Sequence, residues 1–187
     1  GYVTGAVLLL VATVPALPAR LVSMIPVALV LNIVVGQIIG SVGIPLYLDS
    51  TGTVLVAALA GPWAGIATGV LSSLVWSAFN PSALPFAAVG GLAGLAIKHG
   101  ALKNIATVLL SGAVIGIVVG MLAAPVAAFV YGGTAGVGTG AVVSLLREMG
   151  HSLLQSVTLQ SFISDPLDKA LVMLLVWLVL KSLPKRT

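Results

Sequence analysis

Apolar segments separated by short connections rich in glycine, proline or charge follow one another along most of this chain. The clear segments cover residues 20–39, 48–60, 63–79, 84–97, 105–131 and 166–180. Three of them, at 20–39, 63–79 and 105–131, have about the 17–25 residues that a helix needs to cross a bilayer. The pattern therefore predicts six membrane-spanning helices, of which the 84–97 helix is short.

The segment 141–161 has a different pattern, because its polar residues recur at helical spacing on one side. Ser144, Glu148, His151 and Gln155 follow steps of four, three and four, with leucines on the other side. This pattern predicts an amphipathic helix that lies outside the six spans. Asp165 and Pro166 are then expected to open the last span as its N-cap and first helical residue.

Composition supports the membrane interpretation. Hydrophobic residues make up 59% of the 187 residues, charged residues make up 6%, and the mean hydropathy is +1.23. A water-soluble domain carries roughly 25% charged residues. We therefore expect an all-α integral membrane protein: one six-helix domain at 20–187 with an additional external amphipathic helix, preceded by an apolar segment, 1–19, whose status stays open.

Charge and cysteine content narrow the possible functions. Zero cysteines exclude disulfides and thiolate metal sites. Six spans use nearly all of the length, so we expect no nucleotide-binding domain, and any ATP must be used by partner subunits. The net charge of +4 is explained by membrane topology, without a nucleic-acid partner.

The distribution of charges predicts the orientation in a cell membrane. Basic residues at 20, 98, 103, 181, 185 and 186 fall on one side of the six predicted spans. Asp49, Arg147, Glu148, Asp165, Asp168 and Lys169 fall on the other. By the positive-inside rule, both ends of the six-helix domain are cytoplasmic and the acidic side is outside.

A ridge of small or polar residues follows the first span at intervals of four. It consists of Ala28, Asn32, Gly36 and Gly40. Such ridges let two helices approach closely. They serve packing within a bundle and docking to another subunit equally, and the sequence leaves both interpretations open.

Candidate binding residues occur beside two of the predicted outer connections. Tyr47 and Asp49 precede the second span and could hydrogen-bond a ligand, although Asp49 could also cap the helix that begins near Thr51. Trp76 could stack on a ligand or anchor the chain at the membrane interface. Asn80 is a further candidate, but before Pro81 it also suits a turn.

The densest polar group is Arg147, Glu148, His151 and Gln155. At helical spacing these residues could bind a carboxylate or a ring nitrogen, or they could form a solvated face with local ion pairs. For Asp165 and Asp168 we weigh a ligand role against helix capping and favour capping. His99 and His151 fall on opposite sides of the membrane, so no metal site is expected.

Three motifs occur together in a distinctive order: Leu48–Thr53 (LDSTGT), Ala60–Gly65 (AGPWAG) and Asn80–Phe86 (NPSALPF). With the small-residue ridge before them, they resemble the substrate-binding membrane subunits (S components) of energy-coupling factor transporters. The resemblance implies a six-helix bundle that captures a vitamin or similar micronutrient outside. It also implies a transmembrane scaffold subunit and two ATPases as partners, and reorientation of the bundle in the bilayer.

The family usually docks through an Ala-x-x-x-Ala pattern on its first helix. Here Ala28-x-x-x-Asn32 occupies that place, and Asn32 departs from the pattern. The alternative function is an autonomous proton-coupled secondary transporter or channel that uses Asp49 or Glu148. A membrane-embedded enzyme using Arg147, Glu148 and His151 lacks a nucleophile or metal set, so catalysis is not expected.

Overall fold

The computed structural model describes residues 2–78, 84–133 and 136–183, and the regular elements in these ranges are all helical. The α-helices are α1 (Tyr2–Thr13), α2 (Ala19–Val22), α3 (Met24–Ser41), α4 (Thr51–Ala60), α5 (Pro62–Trp76), α6 (Ala88–Lys98), α7 (Ile105–Tyr131), α8 (Val137–Glu148) and α9 (Leu153–Ser182). Short 3-10 turns cover Val14–Ala16 and Leu84–Ala87. The predicted all-helical class is confirmed.

Two helices of the described chain are long and apolar enough to span a membrane. α3 has 18 residues with a mean hydropathy of 2.0, and α7 has 27 residues with a mean hydropathy of 2.5. Only 22% and 39% of their most apolar windows are buried, whereas a core helix of a soluble protein is mostly buried. α4, with 10 residues, is about 15 Å long and reaches only about halfway across a hydrocarbon core. The helix lengths therefore support a membrane protein, but they do not show the six predicted membrane-spanning helices.

The bundle is centred on the packing of α7 against α9, with α4 and α6 beside this pair. Its main core is built from small and branched apolar side chains. The buried members are Val54, Ala57, Val89, Ala93, Ala101, Val108, Ile115, Val119, Val172, Met173 and Val176. Because few of these side chains are large, the core fills only if the helices approach closely.

Glycines on α7 provide that close approach. A Cβ atom at Gly112 would lie 2.5 Å from the Ala170 Cα, and one at Gly116 would lie 2.6 Å from the Pro166 Cα. Both distances are below any normal contact, so only a hydrogen atom fits between the helices. The spacing of α7 and α9 is therefore set by residues without side chains.

The ridge on α3 faces the inside of the bundle. Ala28 is 5% exposed, Asn32 is fully buried, Gly36 is buried and Gly40 is half-buried. Packing within the bundle is thus the interpretation that the structure supports for these residues. The prediction that this ridge is a docking surface for another subunit is corrected, because α4, α5 and the 42–50 connection already pack against it.

Asn32 joins three helices through its side-chain amide. Its Oδ1 accepts from the Gly52 N–H at 2.7 Å, and its Nδ2 donates to the Thr53 Oγ1 at 2.8 Å and to the Ser72 Oγ at 3.1 Å. A buried amide is costly unless it is hydrogen-bonded. These contacts inside the chain explain why a polar residue occupies position 32.

The predicted helix boundaries in the last third of the chain are wrong. α8 ends at Glu148, and a turn with Gly150 at φ +94° separates it from α9. The Ser152 Oγ accepts from the Gln155 N–H at 3.3 Å, and the Gln155 Oε1 accepts from the Ser152 N–H at 2.9 Å. This reciprocal capping box starts α9 in the middle of the predicted amphipathic helix.

Asp165 and Pro166 do not start a helix. They lie inside α9, which continues without interruption from Leu153 to Ser182. Proline removes one backbone donor, but proline inside helices is tolerated where neighbouring helices pack tightly, as α7 does here through Gly116. The N-cap role expected for Asp165 is therefore wrong, and its side chain is available for another contact.

Part of the apolar segment 1–19 belongs to the bundle. α1 packs on α5 and on the 84–87 turn, and Ala6 is fully buried against Val70 and Ala87. Residues 2–13 therefore share a core with the domain that follows them.

Candidate functional site

A cavity of about 310 Å³ opens among α3, α5, α7, α9 and the 42–50 connection. It lies towards the carboxyl end of α7, where Ala123, Ala124, Ala127 and Tyr131 form one wall. The basic 98–104 connection precedes the amino end of the same helix. Since α7 is about 40 Å long, the cavity and the basic connection lie at opposite ends of the bundle.

The charged floor of the cavity consists of Asp49, Asp165 and Lys169, which line it, together with Asp168, which is not in the lining and pairs with Lys169. The Lys169 Nζ lies 2.6 Å from the Asp168 Oδ2 and 3.6 Å from the Asp49 Oδ1. Lys169 is 4% exposed and Asp168 is 2% exposed, so this ion pair is shielded from water. Buried charges persist only when they are paired and hydrogen-bonded, and the floor meets this condition for Lys169 and Asp168.

Asp168 also fixes the 42–50 connection. Its Oδ1 accepts from the backbone N–H groups of Tyr47 and Leu48, both at 2.8 Å. Leu48 adopts a positive φ of 51°, which is uncommon for a residue other than glycine. The carboxylate on α9 thus holds this connection in a conformation that Leu48 would not favour by itself.

The structure gives a helix-capping role neither to Asp165 and Asp168, for which the sequence favoured it, nor to Asp49, for which the sequence left it open. Ser50 occupies the N-cap of α4, and Asp49 instead faces Lys169. Asp165 and Asp168 lie in the middle of α9, far from its start. All three carboxylates are used in tertiary contacts or in the cavity, because Lys169 and the 42–50 backbone provide donors that local sequence does not reveal.

Tyr47 connects the cavity to α8. Its hydroxyl lies 2.8 Å from the Thr139 Oγ1. Burial raises the pKa of the Tyr47 phenol above its ordinary value, so the group stays neutral and keeps its proton for hydrogen bonding at physiological pH. Tyr47 therefore closes one side of the cavity with a polar and uncharged edge.

Gly36 makes room for two cavity residues at once. A Cβ atom at this position would lie 2.8 Å from both the Asp49 Cβ and the Trp76 Cζ2. The ridge of α3 therefore contributes to the cavity as well as to helix packing. Any larger residue at Gly36 would displace the aromatic ring or the carboxylate.

Two buried polar atoms on the cavity wall have no hydrogen-bond partner in the described part of the chain. They are the Asp165 Oδ2 and the Trp76 Nε1. Asp165 is only 8% exposed, so water does not readily replace a partner. Unsatisfied buried groups are rare and costly, and they mark positions where a ligand can complete the hydrogen bonding.

The predicted site residues divide into three groups. Tyr47, Asp49 and Trp76 line the cavity, while Asn80 lies outside the described residues. The described lining of the cavity contains no residue of the polar group that extends from the end of α8 to the start of α9. In that group Arg147, Glu148 and Gln155 are exposed and His151 is half-buried.

Sequence reasoning missed Lys169, Gln160 and Ser161 as cavity residues. A usable signal existed for Lys169, because a lysine next to an apolar helical segment is a default site candidate in a membrane protein. No comparable signal existed for Gln160 and Ser161, which were assigned to the end of an external helix.

Comparison of the chain with protein-family models, with curated proteins and with solved structures found no match. Within the described residues, no group of three or more His, Cys, Asp and Glu side chains could hold a metal ion. Function must therefore be inferred from the cavity, its charges and its position in the bundle.

Proposed function

We propose that this chain is the substrate-binding membrane subunit, an S component, of an energy-coupling factor importer for a small vitamin-like molecule. One observation carries the proposal: the connection that leads into the family-like motif 48–53 forms a wall of the cavity, with Tyr47 and Asp49 facing it. The cavity volume of about 310 Å³ is at the lower end of the range for small-molecule sites. The proposed role is capture of the substrate, with no catalysis in this chain.

We further propose that the bundle crosses the cell membrane six times, with the cavity open to the outside. The outward apolar surfaces of α3 and α7 support a membrane location. The position of the basic 98–104 connection at the far end of α7 agrees with the positive-inside rule. α4 and α5 are short for single spans, and tight packing on α3 and α6 would shield their ends.

Cysteine labelling tests this topology, since the chain has no cysteine of its own. Ser41 lies exposed at the cavity and Lys103 lies exposed in the basic connection. In intact cells, a membrane-impermeant maleimide should label Ser41→Cys at once and Lys103→Cys only after permeabilisation. Labelling of both positions in intact cells, or the reverse pattern, would contradict the orientation.

In the proposed assembly, ATP is used by two ATPase subunits that act through a transmembrane scaffold subunit. Because Ala28, Asn32 and Gly36 are buried in this chain, the scaffold would contact a surface other than this ridge. Few charged side chains face the sides of the bundle, and this property would favour reorientation of the whole subunit in lipid.

Uptake measurements test the function. The chain should retain its small-molecule substrate through purification, identifiable by mass spectrometry, and cells should accumulate that molecule only when scaffold and active ATPases are expressed with it. Ser144→Ala, an exposed change on α8 outside the cavity, should leave retention and uptake unchanged. Equal uptake with ATPases that cannot hydrolyse ATP would refute the proposal.

An autonomous proton-coupled transporter is the second candidate. The observation in its favour is the concentration of Asp49, Asp165 and Asp168 around Lys169 at an apolar cavity, because ionisable groups inside membrane proteins often carry protons. Liposomes that contain only this chain distinguish the two. Uptake driven by a proton gradient would favour this candidate over the importer subunit.

A further inference from the structure

We propose that the cavity binds an organic cation, a small molecule with a protonated amine attached to a ring or other apolar body, and that Asp165 is its counter-ion. This inference rests on the proposed function, because it names the substrate class of the same site. It follows from the charge, the hydrogen bonding and the aromatic lining of the cavity.

The charge of the floor is negative. Asp49 and Asp165 line the cavity, Asp168 lies beside them, and Lys169 is the one basic side chain among the described lining residues. Lys169 is committed to Asp168 at 2.6 Å and to Asp49 at 3.6 Å. Asp165 is therefore the carboxyl group of the floor that has no ion pair within 4 Å in the described chain.

Asp165 is the carboxylate with unused hydrogen-bonding capacity. Its Oδ2 is buried at the cavity wall without a partner in the described chain, and the whole residue is 8% exposed. Asp168, by contrast, is satisfied by Lys169 and by two backbone N–H groups at 2.8 Å. A ligand ammonium group would both neutralise Asp165 and supply its missing donor.

The walls suit the apolar body of such a ligand. Tyr47, Trp76, Phe86 and Tyr131 all line the cavity. Aromatic faces attract cations within about 6 Å, and Lys169 already lies 5.9 Å from the centre of the Phe86 ring. The unpartnered Trp76 Nε1 would donate to a hydroxyl or carbonyl oxygen elsewhere on the ligand.

An anionic ligand fits this site poorly. A carboxylate or phosphate placed beside Asp49 and Asp165 would meet like charge, and Lys169, the one basic side chain among the described lining residues, is already paired with Asp168. A neutral ligand would leave Asp165 uncompensated. Of the three charge classes, only a cation lowers the excess of negative charge.

Three probes of similar size and different charge test the inference on the purified, unchanged chain. Tyramine is an ammonium ion at neutral pH, tyrosol is its neutral alcohol, and desaminotyrosine is a carboxylate. In calorimetric titrations corrected for empty micelles, tyramine should bind roughly tenfold or more tightly than either of the others, since a charge-assisted hydrogen bond is gained. This comparison does not depend on any variant folding.

Two variants then test whether Asp165 is responsible for the preference for tyramine. Asp165→Asn should reduce tyramine affinity roughly tenfold or more and leave tyrosol within about twofold. Glu148→Gln removes the same charge from an exposed position outside the cavity and should change neither affinity.

Other results would overturn the inference. Tighter binding of tyrosol or desaminotyrosine would refute the cationic class while leaving a small-molecule site in place. Absence of saturable tyramine binding, or an Asp165→Asn variant that keeps the preference for tyramine, would also refute it. The retention and uptake measurements judge the importer function separately, so the two failures are distinguishable.

Discussion

Replacement of Lys169 by methionine should destabilise the protein more than any other single change on the charged floor. The change removes the partner of Asp168 at 2.6 Å and of Asp49 at 3.6 Å and leaves the buried carboxylate of Asp168 uncompensated. Breaking one side of a buried ion pair costs about 3–5 kcal/mol. For a chain of this length, that loss lowers the melting temperature by roughly 6–20 °C, measurable by thermal denaturation in micelles.

Two variants make this test specific. Lys103→Met removes a lysine from an exposed position and should shift the melting temperature little. The double variant Lys169→Met with Asp168→Asn removes the stranded charge while the Asn oxygen can still accept from the Tyr47 and Leu48 N–H groups, so it should recover much of the lost stability. A Lys169→Met protein that melts like the Lys103→Met control would show that the pair is not structurally important.

Substitution of Gly116 by alanine should weaken the packing of α7 against α9. The added methyl group would collide with the carbonyl of Asp165 and would lie 2.6 Å from the Pro166 Cα. These are backbone atoms that cannot turn away as a side chain can, so the helices must separate. Overpacking of this kind costs about 1–3 kcal/mol, and the displaced Asp165 should also weaken tyramine binding.

Gly40→Ala is the matched control, because it is also a helical glycine beside the cavity. The nearest atom to a Cβ at Gly40 is the Tyr47 Cδ1 at 4.0 Å, an ordinary contact. Alanine there should be neutral or stabilising by up to about 1 kcal/mol through its higher helix propensity. If Gly116→Ala melted at the same temperature as Gly40→Ala, close packing of α7 on α9 would not limit stability.

The two predictions concern the same interface, the one between α7 and α9. Gly116 allows α9 to approach α7, and that approach places Asp165 and Lys169 at the cavity. Asp168 then fixes the 42–50 connection through Tyr47 and Leu48. Substrate binding and folding are therefore expected to depend on the same interface between two helices.

Several features of the fold could be predicted from the sequence. The apolar segment 105–131 coincides with α7, the segment 20–39 overlaps most of α3, and Gly61 separates α4 from α5 as expected. Apolar composition and glycine or proline breaks are local properties, so they report helices and turns directly. The same local signals indicated Tyr47, Asp49 and Trp76, which all line the cavity.

Local sequence signals do not predict the surroundings of the polar group at Arg147, Glu148, His151 and Gln155. Helical spacing shows which residues share a face, but it does not show whether that face turns towards a cavity or away from it. A turn at Gly150 divides the group between α8 and the capping box of α9. Asn80 lies outside the described residues, so its role stays a prediction.

By itself, the sequence determined that this protein is helical, strongly apolar, poor in charge, and punctuated by glycine and proline. Only the tertiary structure decided what the charges do. A carboxylate such as Asp168 can accept from the nearest backbone N–H or from a donor more than a hundred residues away, and local sequence favours both equally. The packing of α9 against α7 and the 42–50 connection selects the distant donors, so residues that resemble helix caps in the sequence form the floor of a cavity instead.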